Sequence, residues 1–134
     1  MRKALIAVLA VAALAAPLAA EAKPRLSPEA KLDKMLEGRV AGEPQDCIYL
    51  PSIRSTRVID KTAIVYDAGR TLWVNRPDNG ASSLDDDDVL VTRLHSSQLC
   101  SIDIVQLQDR TSWFYSGFVA LGDFVPYRKV SVSK

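Results

Sequence analysis

"TAIVYDAGRTLWVNR", residues 62–76, decides the fold class. β-branched and aromatic residues alternate on both sides of Asp67-Ala68-Gly69-Arg70, and Gly69 stands where a short hairpin loop requires a glycine. The segment therefore predicts two antiparallel strands. Alternation also assigns their faces: Ile64 and Tyr66 lie on one side with Ala63 and Val65 on the other, and Leu72 and Val74 oppose Trp73.

Outward from this hairpin the same texture continues. "CIYLPSIRSTRVID" (47–60) carries β-branched residues interrupted by Pro51. After the turn-forming "RPDNGASS" (76–83) come four runs of strand character: "DVLVTRLH" (88–95), "CSIDIVQLQD" (100–109), "SWFYSGFVAL" (112–121) and "VPYRKVSV" (125–132). Six to seven short strands with no second long helical pattern predict a mainly β, antiparallel domain over residues 47–134. A chain of this length hides its edges most simply by closing, so a small antiparallel barrel or roll is expected ahead of a sandwich. The expected core comprises Ile48, Leu50, Val58, Ile64, Leu72, Val74, Leu90, Ile102, Ile104, Phe118, Leu121 and Phe124.

Upstream, residues 23–46 are charged, poor in β-branched residues and contain three prolines. Ser27 suits an N-cap and Pro28 a first helical position, while Leu32, Met35 and Leu36 recur at helical spacing before Gly38. This predicts a short helix, Pro28 to Glu37, on a leader preceding the β domain. Residues 1–22 read as a secretory signal peptide: Arg2 and Lys3 precede an apolar run from Ala4 to Ala16, and Ala20-Glu21-Ala22 offers small residues for cleavage, with a cut after Ala20 as the alternative. The apolar run is shorter than the roughly 20 residues that span a bilayer, so no stable membrane span is expected after cleavage.

Removing Arg2, Lys3 and Glu21 with the leader takes 17 basic and 16 acidic residues to 15 of each. A neutral chain argues against a nucleic-acid partner, because neutralising phosphates needs a clear basic surplus. Export places Cys47 and Cys100 in an oxidising compartment, periplasmic or extracellular, where a pair of cysteines reads as one disulfide.

The ordered motifs C-I-x5-R-S-T-R-V-I-D (Cys47 to Asp60), N-R (Asn75, Arg76), Q-L-C-x-x-D (Gln98 to Asp103) and A-L-G-D-F-V-P (Ala120 to Pro126) carry a resemblance. Over residues 45–127 the chain resembles a family of small exported proteobacterial proteins of unknown function. Members of that family often carry two further cysteines, at positions that correspond to Ala81 and Val119. The resemblance implies that those two pair with each other and that Cys47 pairs with Cys100; it implies no activity.

Three side-chain groups bear on chemistry. Asp85, Asp86, Asp87 and Asp88 form an acidic run, but the alternating oxygen ligands, glycine and distal glutamate of a calcium loop are absent. A solvated loop leading into a strand is the expected reading, with divalent-cation binding as the alternative, completed by oxygens from Asp78 and Asn79. His95 is the sole histidine and has no neighbouring metal ligand or activated nucleophile, so the inventory for hydrolysis is thin and no cofactor is expected. The arginines Arg54, Arg57, Arg70, Arg76, Arg93 and Arg110 fall in or beside strands, where cross-strand pairing with acids is the ordinary role; the alternative is a stripe that holds a carboxylate or phosphate group, flanked by Trp73, Trp113, Phe114 and Tyr115. Together these features lead to a binding protein rather than an enzyme, with Arg76, Trp113 and Tyr115 as expected contacts to an envelope protein or a small ligand.

Overall fold

The computed structural model describes residues 20–131. The expected signal peptide lies almost wholly outside them, as does Val132 of the last expected strand. Among the described residues the fold is mainly β, with one α-helix and ten strands, all paired antiparallel. Helix α1 (Pro28–Leu36) begins where its capping sequence predicts, the Ser27 hydroxyl accepting from the Ala30 N–H at 3.2 Å. The strands are β1 (Arg39–Ala41), β2 (Cys47–Tyr49), β3 (Ser55–Ile59), β4 (Ala63–Asp67), β5 (Thr71–Asn75), β6 (Asp88–Thr92), β7 (Gln98–Cys100), β8 (Ile104–Asp109), β9 (Tyr115–Ala120) and β10 (Phe124–Lys129).

The β4–β5 hairpin forms as its sequence predicts. Gly69 has φ +85°, Ala68 N–H donates to the Thr71 carbonyl at 2.9 Å, and Gly69 N–H donates to Asp67 Oδ1 at 2.7 Å. This hairpin is the centre of a five-stranded sheet ordered β1-β10-β5-β4-β3. Its two faces bury different sets of residues. Ile64, Tyr66 and Val58 pack with Phe124, and with Ile48, Leu99, Val105, Leu107 and Val119 from a second layer made of the β6-β8-β9 sheet and the β2-β7 ribbon. Ala63, Val65, Leu72, Val74 and Ile59 pack instead under α1, whose Leu32 is 1% exposed. The face assignment from alternation holds.

Helix cover explains why the expected barrel does not form. β4 is buried on both faces, from Ala63 through Tyr66, so the central sheet needs a layer on each side, whereas a barrel of this kind leaves its outer face in water. The result is sandwich-like, with the strand edges β3 and β6 left unclosed and a helix on the back. Residues 28–41 supply that helix and an edge strand, and so complete the sheet rather than precede it.

Three expected core residues are corrected. Ile102 is 88% exposed, because "CSIDIVQLQD" is two strands: Asp103 N–H returns to the Cys100 carbonyl at 3.0 Å and its Oδ2 takes the Cys100 N–H at 2.7 Å, which puts Ile102 on a turn. Ile104 and Phe118 are exposed because the inward parity belongs to Val105, Leu107 and Val119. Where six to seven strands were expected there are ten among the described residues: β1 arises within the leader, the 3-10 turn Leu50–Ser52 separates β2 from β3, and the Asp103 turn separates β7 from β8.

Cys47 and Cys100 lie directly opposite in the β2–β7 ribbon and form the predicted disulfide. Asn75 is fully buried at the end of β5, where its amide donates to the Gly122 carbonyl at 2.6 Å and accepts the Gly122 N–H at 3.0 Å. The apolar interior of the Tyr66–Phe124 edge contact, with ring centroids 5.8 Å apart, raises the Tyr66 hydroxyl well above the usual phenol range.

Candidate functional site: an aromatic hairpin tip and a cleft between two sheet edges

The β8–β9 hairpin carries the largest concentration of exposed apolar side chains. Its turn begins at Asp109, a residue suited to turns because its carboxylate can bond the next few backbone N–H groups. Asp109 Oδ1 accepts from Thr111 N–H at 2.9 Å, Ser112 N–H at 2.7 Å and the Ser112 hydroxyl at 2.9 Å. Trp113 N–H donates to the Asp109 carbonyl and Asp109 N–H to the Phe114 carbonyl, each at 2.9 Å. The backbone and hydroxyl bonds from Ser112, with that from Thr111, hold the Asp109 carboxyl below its ordinary value of 3.8, so the turn loses them only under stronger acid than an isolated aspartate would require.

The pinned turn places Trp113 at φ +61°, a left-handed conformation that a side chain this large rarely adopts. Trp113, Phe114 and Tyr115 are 65%, 77% and 60% exposed, and Phe118 and Ile104 extend the apolar surface along the outer face of the same hairpin. The sequence singles out Trp113, Phe114 and Tyr115, but it places Ile104 and Phe118 in the core, because the register that turns those two outward depends on the turn.

A cleft of about 930 Å³ lies between β3, the edge of the central sheet, and β6, the edge of the second. Four successive β3 residues, Thr56 to Ile59, form one wall, and Asp86 to Leu90 form another. Lys31, Lys34 and Met35 of α1, with Leu26 ahead of it, close the third side, and Arg110 of the hairpin turn stands at the margin. The two sheets meet at one end of this cleft: Lys61 N–H donates to the Leu84 carbonyl at 3.1 Å and Asp86 N–H to Asp60 Oδ1 at 2.7 Å.

The aspartate run separates into distinct roles. Asp88 is 7% exposed and turned inward, its Oδ1 accepting from the Ser116 hydroxyl at 2.8 Å and its Oδ2 from Asp85 N–H at 3.2 Å. Asp87 is exposed. Asp85 and Asp86 meet Asp60, with oxygens within 4.8 Å of one another, while Lys31 Nζ lies 3.9 Å from Asp86. The expected helpers Asp78 and Asn79 are elsewhere: Asp78 and Asn79 N–H both bond the Ala120 carbonyl beside β9.

Arg76 is engaged within the fold. Its guanidinium meets Glu29 of α1 in two bonds, 2.8 and 3.0 Å, and that hydrogen-bonded pairing lowers the Glu29 carboxyl and raises Arg76. It ties the helix to the end of β5 and leaves less of the side chain for a ligand. His95 is exposed in the β6–β7 connection. Among the described residues no helix is long and apolar enough to cross a membrane. No known family model, curated protein or solved structure matches the chain.

Proposed function

We propose that this protein is an exported binding domain, periplasmic or secreted, that recognises a protein partner through the aromatic tip of the β8–β9 hairpin and has no catalytic chemistry of its own. Trp113 carries the reading: a large apolar side chain held in solvent by a strained turn that the Asp109 carboxylate and carbonyl pin. Strain of this kind costs about 1–3 kcal/mol and persists where the surroundings over-determine it, often at binding sites. Contiguous aromatic surface on a small domain is characteristic of protein interfaces, and a pinned turn lowers the ordering cost of association. The apolar leader and the Cys47–Cys100 bridge support export.

The purified protein, immobilised and exposed to envelope extract, is expected to retain a stoichiometric partner. The affinity of that identified partner is then measured by calorimetry for the wild type and for Trp113→Ala and Phe114→Ala. Truncating a central aromatic anchor weakens an interface by about 2 kcal/mol or more, roughly thirtyfold. An unchanged affinity in both variants would overturn the assignment.

A further inference from the structure

We infer that the cleft between β3 and β6 accepts an extended segment of another polypeptide, which adds a strand to the central sheet. The occupant is set by main-chain chemistry. Within the described residues β3 pairs only with β4, and β6 only with β8, so each presents a free row of N–H and C=O groups. Unpaired edges are templates for an incoming strand, and protein chains ordinarily cover or shorten them. Here two edges border one cleft, and among the described residues neither has a strand paired on its outer side. The cleft's lining follows the edges residue by residue, Thr56 to Ile59 and Asp86 to Leu90, as a backbone groove should.

Direction and charge narrow the occupant further. β3 ends at the Asp60 junction and β6 begins there, so the two edges run in opposite senses. A strand antiparallel to β3 continues the all-antiparallel central sheet, and its N-terminal end then lies at the junction. At that end the carboxylates of Asp60, Asp85, Asp86 and Asp87 outnumber the cations Lys31, 3.9 Å from Asp86, and Arg110, whose Nε donates to the Asp87 carbonyl at 3.5 Å, whereas the exposed Lys34 and Arg57 line the rest of the cleft. Between them Met35, Val58, Val89 and Leu90 offer apolar contact on both faces of an inserted strand. The complementary segment is about six or seven residues long, basic at its N-terminal end, β-branched in the middle and acidic at its C-terminal end. Its length follows from the edges, at about 3.3 Å per strand residue along Thr56 to Ile59 and Asp86 to Leu90, with about one residue of overhang at each end.

This site does not depend on the aromatic tip, and one experiment separates them. A random heptapeptide library displayed on phage is selected against the purified protein. Selected peptides are expected to lack central proline, to show the basic-to-acidic polarity, and to lose at least tenfold in affinity when alternate backbone N–H groups are methylated. Hydrogen exchange with a selected peptide bound should slow, within residues 55–59 and 88–92, the alternate amides that face away from β4 and β8. Leu90→Arg, which fills the cleft with a charged side chain, should abolish binding while Trp113→Ala leaves it within twofold. Failure to select any peptide, protection confined to residues 113–118, or tolerance of N-methylation would each overturn the strand-insertion site; the second of these would leave the aromatic tip standing.

Discussion

Asp87 and Asp88 are neighbours in one acidic run and opposites in environment. The Asp88 carboxylate is buried and accepts two hydrogen bonds, from Ser116 and from Asp85, whereas the Asp87 side chain stands in solvent. Removing a buried acceptor and leaving its donors unpaired costs about 2 kcal/mol, so Asp88→Ala is expected to lower unfolding stability by that amount in urea titration, and Asp87→Ala by less than about 0.5 kcal/mol. Equal effects would mean the run acts as one solvated unit. At Trp113 the expected sign is reversed. Trp113→Gly relieves the left-handed strain and gives up little buried surface, so stability should hold or rise by up to about 1 kcal/mol while partner affinity falls. Both residues could be named from sequence as charged or aromatic; their environments could not, because burial of Asp88 requires Ser116 to arrive from a strand 28 positions later.

At the scale of elements, the β2–β7 ribbon is only three residue pairs long and is held by its disulfide. Closing a loop across a sequence separation of 53 stabilises the fold by roughly 4 kcal/mol in the chain-entropy model. Reduction, or the Cys47→Ala/Cys100→Ala pair, is therefore expected to lower Tm by more than about 10 °C in calorimetry. An unchanged Tm would show that the ribbon's ends are held by other contacts. The β4–β5 hairpin and the start of α1 were legible because their signals are local: a glycine in the loop, alternation on either side, and a Ser-Pro cap. The β7–β8 break was not. "CSIDIVQLQD" alternates well enough for one strand, and only the return of Asp103 to Cys100 divides it.

For the whole molecule, the central sheet is covered on both faces, by α1 behind and the smaller sheets in front. A chain beginning at Cys47 would lack α1 and β1 and expose Val65, Leu72 and Val74. Such a truncation is expected to aggregate or to bind a hydrophobic dye strongly, whereas one beginning at Lys23 should show a single cooperative unfolding transition. If the shorter chain melts cooperatively at the same temperature, the helix layer is dispensable. The residue pattern by itself determined the mainly β class, the central hairpin and its two faces, the capped helix and the disulfide pair, since each rests on neighbours a few positions apart or on a count of two cysteines. Tertiary structure alone decided that the strands form an open sandwich rather than a barrel, that Arg76 clamps the helix, and that β3 and β6 leave a cleft between them. Those outcomes depend on which distant surfaces compete to bury β4, and no local pattern carries that competition.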